Sequence, residues 1–197
     1  MTKISVLIPT FRRPEGFARA ARSVFAQDKL AGVELIGVDN SPEGSAIALF
    51  RALEAAAPIP FRWTHEPRPG VANARNAALT LARGDLVAWL DDDEEAPPHW
   101  LAAMVCERAA SGAQSVFGPV HAQARGRHRA FFENLYSRSG PARSGLTKRA
   151  YGIGNSLQPR AMFGEEAPFD ARTNQTGGED DALFASWREA GARFAWA

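Results

Sequence analysis

Four short apolar runs, each separated from the next by a helix-patterned segment, constrain this chain more than any other feature. Residues 4–8 (Ile-Ser-Val-Leu-Ile), 33–38 (Val-Glu-Leu-Ile-Gly-Val), 61–65 (Phe-Arg-Trp-Thr-His) and 86–90 (Leu-Val-Ala-Trp-Leu) have the length and β-branched or aromatic content of strands. Between them lie three helical patterns. The first starts at Pro14 and places Phe17, Ala20, Ala21, Val24 and Phe25 on one face. The second covers 45–57 with Leu49, Phe50 and Leu53 inward, and the third is an Ala-rich stretch over 71–82 closed by Gly84. Such alternation predicts βαβ units and a three-layer α/β/α sandwich around a mostly parallel sheet. Right-handed crossovers then put every strand C-terminus on one edge, where open sheets of this kind bind ligands. The third run is the most polar and reads as an edge strand.

That ligand edge collects the chemistry. Thr10 to Arg13 follow the first strand, Asp39 ends the second, residues 65–70 follow the third, and Asp91-Asp92-Asp93-Glu94-Glu95 follow the fourth. Five successive carboxylates repel one another. They read either as a solvated acidic turn feeding a helix N-terminus or as hard oxygen ligands for Mg²⁺ or Mn²⁺. An extended chain there would point Asp91 and Asp93 to one side and Asp92 to the other. Convergence with the other three strand ends favours the metal.

Further along, the pattern gives a helix over 98–110, a strand over 115–118, a strand over 152–157, a helix opened by residues 177–181 and running to about 190, and a last strand at 193–196. Between 125 and 149 stand seven Arg or Lys and one acid, Glu133, with Phe131, Phe132, Leu135 and Tyr136 as a short apolar helical face. This segment reads as a solvated insertion or as a positive surface for phosphate, an acidic acceptor or anionic lipid.

The exclusions narrow the chemistry. Lys plus Arg number 23 against 22 Asp plus Glu, a net charge of +1, so nothing draws the whole chain to nucleic acid. The single Cys106 rules out an intrachain disulfide and is expected as a buried thiol beside Leu101, Met104 and Val105. The N-terminus lacks a signal-peptide layout and no apolar run approaches the ~20 residues of a membrane span. A cytoplasmic protein, at most peripheral at the inner membrane face, is the expectation. No G-x-G-x-x-G, G-x-x-x-x-G-K-[ST], H-E-x-x-H or G-x-S-x-G occurs. What is left is a carboxylate-held metal, the cations Arg12, Arg13, Arg68 and Arg75, and a second acidic cluster at Glu179-Asp180. That set suits displacement of a diphosphate leaving group.

At these residues the sequence resembles the family 2 glycosyltransferases of GT-A fold, inverting enzymes that use nucleotide-diphosphate sugars. The matches run in order: Val6-Leu7-Ile8-Pro9-Thr10-Phe11-Arg12-Arg13, Asp39, Gly70-Val71-Ala72-Asn73-Ala74-Arg75-Asn76, Leu90-Asp91-Asp92-Asp93 and Gly178-Glu179-Asp180. The resemblance implies one GT-A-type domain over 1–197, with 1–120 binding the nucleotide sugar and 121–197 facing the acceptor. It implies a nucleotide-sugar site of Pro9, Thr10, Arg13, Asp39, Gly70, Arg75, Asp91 and Asp92, and a Mn²⁺ or Mg²⁺ ion on Asp93 and Asp91, with Glu94 as a further candidate. It implies Glu179 at the acceptor and Asp180 as general base. The acceptor is a sugar, polysaccharide or lipid-linked hydroxyl. Family domains continue past the strand at 193–196 and often supply a metal-ligating His there, so 197 residues read as a piece truncated at the C-terminus. A nucleotide-sugar-binding domain without transfer activity is the alternative.

Overall fold

The computed structural model describes residues 3–197. The four apolar runs become β1 (Ile4–Thr10), β2 (Val33–Asp39), β3 (Phe61–His65) and β4 (Leu86–Trp89), all parallel, with β3 at the sheet edge. Thr10 pairs with Asp39 and Asp39 with His65, so the C-terminal ends of the first three strands lie level. The connections contain α1 (Pro14–Phe25), α2 (Ile47–Ala56) and α3 (Val71–Leu81). After β4 come α4 (Trp100–Ser111), β5 (Ser115–Phe117), α5 (Arg129–Tyr136), β6 (Gly145–Thr147), β7 (Ser156–Pro159), α6 (Glu179–Glu189) and β8 (Phe194–Trp196). The sheet order is β3-β2-β1-β4-β7-β5-β8-β6, in which β7 runs antiparallel to β4 and β5, and β6 antiparallel to β8.

Alternation along the strands divides the interior into two cores. Val6, Ile8, Leu35 and Ala88 pack with Phe17, Ala21 and Val24 of α1, Phe50 of α2 and Leu101 and Met104 of α4. Leu7, Ile36, Val38, Val87 and Trp89 face the other way, against Ala74 and Ala78 of α3 and Leu183, Phe184 and Trp187 of α6. Successive strand residues point to opposite faces, so this is the three-layer sandwich the periodicity predicts. Aromatic contacts knit both layers, with Phe17 and Phe50 rings 4.6 Å apart on one side and Phe163 and Trp187 5.1 Å apart on the other.

Several local expectations need correction. The strand expected over 152–157 begins only at Ser156, because Gly152 and Asn155 take positive φ (82° and 56°) and bend the chain. The Asn155 side chain is what holds this bend, accepting from Trp100 Nε1 at 2.7 Å and donating to the Pro119 carbonyl at 2.7 Å. Residues 145–147, inside the basic segment, form β6 against β8. Cys106 is exposed rather than buried, since α4 turns Leu101 and Met104 inward and rotates the thiol to solvent. Among the described residues no helix is long and apolar enough to cross a membrane.

Candidate active site

The acidic run does not continue as strand. β4 ends at Trp89, and the Glu94 N–H donates to the Asp91 carbonyl at 3.1 Å, closing a turn through Asp92 and Asp93. The alternation expected of an extended chain is therefore replaced: Asp91, Asp92 and Asp93 all reach one cavity of about 490 Å³. Pro9, Thr10, Phe11 and Arg13 from the β1–α1 connection line it, with Asn40, Pro69, Gly70 and Ala74 and Arg75 of α3. Of the residues singled out from the sequence, Pro9, Thr10, Arg13, Gly70, Arg75, Asp91, Asp92 and Asp93 meet there.

Each wall has a physical cause. Thr10, at the last position of β1, donates from Oγ1 to Asp92 Oδ2 at 2.6 Å, which draws the acidic turn onto the strand end. Arg13, just before α1, donates to Asp93 at 2.8 Å and lies 3.4 Å from Asp92. Opposite, Asn40 organises the loop before α3. Its Nδ2 donates to the Glu66 and Arg68 carbonyls, both at 2.8 Å, and its Oδ1 accepts from the Gly70 N–H at 2.8 Å. Gly70 has φ 138°, and a Cβ there would fall 2.1 Å from the Asn174 side chain, so only glycine lets α3 start at this spot.

Asp39 differs from expectation. It is fully buried; Oδ1 accepts from the Ser41 N–H and hydroxyl at 2.9 and 2.7 Å, and Oδ2 from the Ala46 N–H at 2.6 Å. Both oxygens are committed to the turn leading to α2, and the side chain does not line the cavity. The residue missed from the sequence is its neighbour Asn40, whose only signal was a position next to a strand-end acid.

The second acidic cluster splits between two tasks. Glu179, expected at the acceptor, is buried and pairs with Arg75 Nη1, tying α6 to α3. One residue on, at about 100° of helical rotation, Asp180 points elsewhere. Its Oδ2 accepts from the Ile153 N–H at 3.0 Å and its Oδ1 from the Asp181 N–H at 3.0 Å. The bend at 152–155 connects the two acidic clusters. A Cβ on Gly154 would lie 2.2 Å from Asp91 Oδ2, and one on Gly152 would lie 3.5 Å from Asp180 Oδ2 and 3.2 Å from the Arg138 guanidinium. Arg138 in turn donates to the Gly154 carbonyl. No motif marked Arg138; it was one of seven cations in a basic segment.

Burial perturbs three carboxylates of the turn after β4. Burial holds the Asp91 carboxyl above its ordinary range, against the pull of Arg75 and Arg138. Burial also raises Asp92, opposed by Thr10 and Arg13. Glu94 is pushed up to about 7, first by burial and then by Asp91. Its Oε2 is buried and has no hydrogen-bond partner among the described residues. Among the described residues no group of three or more His, Cys, Asp or Glu stands ready to enclose a metal ion. The donor set nonetheless suits a hard divalent cation. The Asp91 carboxylate accepts no hydrogen bond among the described residues and Glu94 leaves one oxygen unpartnered among them, while Mg²⁺-like ions keep most of their shell as water and phosphate oxygen.

Comparison with known proteins follows the same outline. The sequence model for glycosyl transferase family 2 matches residues 5–166. The succinoglycan biosynthesis protein ExoM of Rhizobium meliloti (strain 1021) is 32% identical over 202 residues, covering 98% of this chain and 63% of that protein. The structure of S. aureus TarS 1–349 in complex with UDP superposes with a TM-score of 0.74 at 16% identity, over 99% of this chain and 57% of that one. The mannosyltransferase PcManGT from Pyrobaculum calidifontis, in complex with GDP-Man and Mn²⁺, gives 0.71 at 19% identity, over 100% and 56%. This chain thus spans roughly three-fifths of the length of each of these proteins. Its fold is the GT-A-type α/β sandwich, and the chain belongs to glycosyl transferase family 2.

Proposed function

We propose that this chain is a single glycosyltransferase domain that moves a sugar from a nucleotide diphosphate to an acceptor hydroxyl with inversion. Residues 1–120 hold the donor and 121–197 face the acceptor. The observation that carries the reading is the joint at Gly154. It brings the donor-side carboxylate Asp91 against the same short bend on which Asp180 is anchored.

In this reading Pro9, Thr10, Asn40 and Gly70 shape the nucleotide pocket, and Arg13 and Arg75 face the diphosphate as guanidinium donors. Glu179 acts by holding Arg75 in place. Asp91 and Asp93 would hold Mn²⁺ or Mg²⁺, with Glu94 in reserve, and Asp92 anchors their turn through Thr10. The bound cation would neutralise charge on the departing diphosphate. Asp180 takes the acceptor hydroxyl proton as that oxygen forms its bond to the anomeric carbon. The bond from that carbon to the diphosphate oxygen breaks on the opposite face, and the nucleoside diphosphate leaves. Arg138, beside Gly154, is placed to orient the acceptor.

A nucleotide-release assay with UDP-, GDP- and dTDP-sugars, Mn²⁺ and an acceptor panel tests this. Asp180→Asn is expected to bind donor as the native protein does and to lose release by at least about 100-fold, the lower range for a positioned general base. Native-like release by Asp180→Asn would remove the base assignment. Donor binding without release on any acceptor would instead favour a binding domain.

A further inference from the structure

The helix α5 is amphipathic in the reverse of the usual sense. At about 100° per residue, Phe131, Leu135, Phe132 and Tyr136 fall within roughly 140° of one another, and Glu133 lies outside that arc. Glu133 is turned away from the ridge: its carboxylate accepts from the Ala124 N–H, in the connection before the helix, at 3.2 Å and from Arg129 of the same helix at 2.7 Å. The four large apolar side chains are 64%, 58%, 40% and 67% exposed in the order given. They form an aromatic ridge, with Phe132 stacked on Tyr136 at 6.3 Å and Phe131 edge-on to Phe132 at 5.4 Å. A helix that needed only its own fold would turn this ridge inward.

The sequence flanking the ridge is cationic, with Arg125 and Arg127 just before the helix and Arg143 and Lys148 after it. Arg125, Arg127, Arg143 and Lys148 are exposed and make no ion pair among the described residues, and the one acid of the segment, Glu133, is taken up by Arg129. Against a second copy, this surface would set like charge on like charge. Against an anionic bilayer it is complementary: rings enter the boundary between headgroups and acyl chains while guanidinium and ammonium groups meet phosphates. Two residues beyond α5 stands Arg138, bonded to Gly154 at the rear of the candidate active site.

We infer that α5 docks this chain on an anionic membrane surface through Phe131, Phe132, Leu135 and Tyr136. The acceptor side of the cavity is thereby presented to a lipid-linked hydroxyl acceptor; that last clause rests on the glycosyl-transfer reading, and the docking does not.

Co-sedimentation with vesicles of phosphatidylcholine alone, or mixed with phosphatidylglycerol, tests the docking without any donor. Mixed vesicles are expected to bind at least tenfold more tightly than neutral ones. Arg125→Gln/Arg127→Gln should weaken that binding by about 25-fold, at roughly fivefold per basic residue. Phe131→Ser/Leu135→Ser should abolish it with circular dichroism unchanged, whereas Phe131→Trp should retain it and show blue-shifted emission on mixed vesicles. Absence of native binding to mixed vesicles, binding kept by Phe131→Ser/Leu135→Ser, or concentration-dependent self-association through the same side chains without vesicle binding would each overturn the inference. Vesicle binding without any sugar-nucleotide binding would support docking and remove the glycosyl-transfer reading.

Discussion

Replacing Arg75 by Met should cost this fold more than almost any other single polar change. Arg75 and Glu179 are 8% and 7% exposed, and the Arg75 guanidinium is the one side-chain partner of Glu179 among the described residues. Methionine keeps the aliphatic stem but leaves a buried carboxylate uncompensated. Breaking a buried pair in this way costs about 3–5 kcal/mol, most of it the penalty on the charge left behind. The guanidinium also lies 5.6 Å from the Phe169 ring centroid, and losing that contact adds in the same direction. At about 2–4 °C per kcal/mol for a domain of this size, the melting temperature should fall by roughly 6–20 °C. The double variant Arg75→Met/Glu179→Met removes both charges and should regain most of the loss, because apolar replacements of buried pairs are often neutral or better. Thermal and urea unfolding followed by far-UV circular dichroism reads both. If Arg75 also faces the diphosphate, the double variant folds yet binds sugar nucleotide weakly. A single variant within about 1 kcal/mol of the native protein would refute the reasoning, since that is the behaviour of a solvent-screened surface pair. So would a double variant no more stable than the single.

Glu94 gives stability a pH dependence. Its folded pKa, raised from 4.5 to about 7, means that the folded state holds the proton more tightly than the unfolded chain. Its contribution is therefore harmless below about pH 4.5 and increasingly unfavourable as pH rises through 7, reaching at most about 3 kcal/mol. Glu94→Gln should exceed the native protein in stability at pH 8 and match it at about pH 4 in chemical denaturation; equal curves at pH 8 would contradict the cause assigned to the shift. Gly154→Ala meets no positive φ, yet its Cβ would lie 2.2 Å from Asp91 Oδ2 and must displace that carboxylate. Sugar-nucleotide affinity in the presence of Mn²⁺ should drop by at least about tenfold, with a melting temperature within a few degrees of native. Unchanged affinity would show that Asp91 does not serve the donor site.

The parallel half of the sheet was legible because β1, β2 and β4 are predominantly apolar runs and their helices carry clean periodicity. Local pattern and tertiary burial agree there. The edge position of β3 followed from Arg62 and Thr64 interrupting its apolar run. The cavity-lining residues were legible as a group for a topological reason: right-handed crossovers deliver them to one edge whatever their individual side chains do. What they do individually was not legible. Asp39 and Asn40 are adjacent strand-end polar residues, and which one faces the cavity depends on the Ser41 hydroxyl and the Ala46 N–H closing around Asp39. Glu179 and Asp180 likewise differ by one helical step, and only the position of Arg75 across the interior decides which is buried. The bend at 152–155 escaped the strand reading because its cause, the Asn155 bridge from Trp100 to Pro119, is made by residues distant in sequence. The outward orientation of α5 escaped for the opposite reason. Its periodicity is that of an ordinary core helix, and no local signal tells a face that meets the core from one that does not.

The most direct test of the account is calorimetric titration of UDP-, GDP- and dTDP-sugars into the native chain with and without Mn²⁺, repeated with Asp91→Asn and Asp93→Asn. One donor is expected to bind, with Mn²⁺ tightening it by about tenfold or more and both substitutions removing that enhancement. Absence of binding by every donor would contradict the central claim that this cavity is a sugar-nucleotide site. Mn²⁺ enhancement that survives both substitutions would contradict the assignment of the metal to the turn after β4.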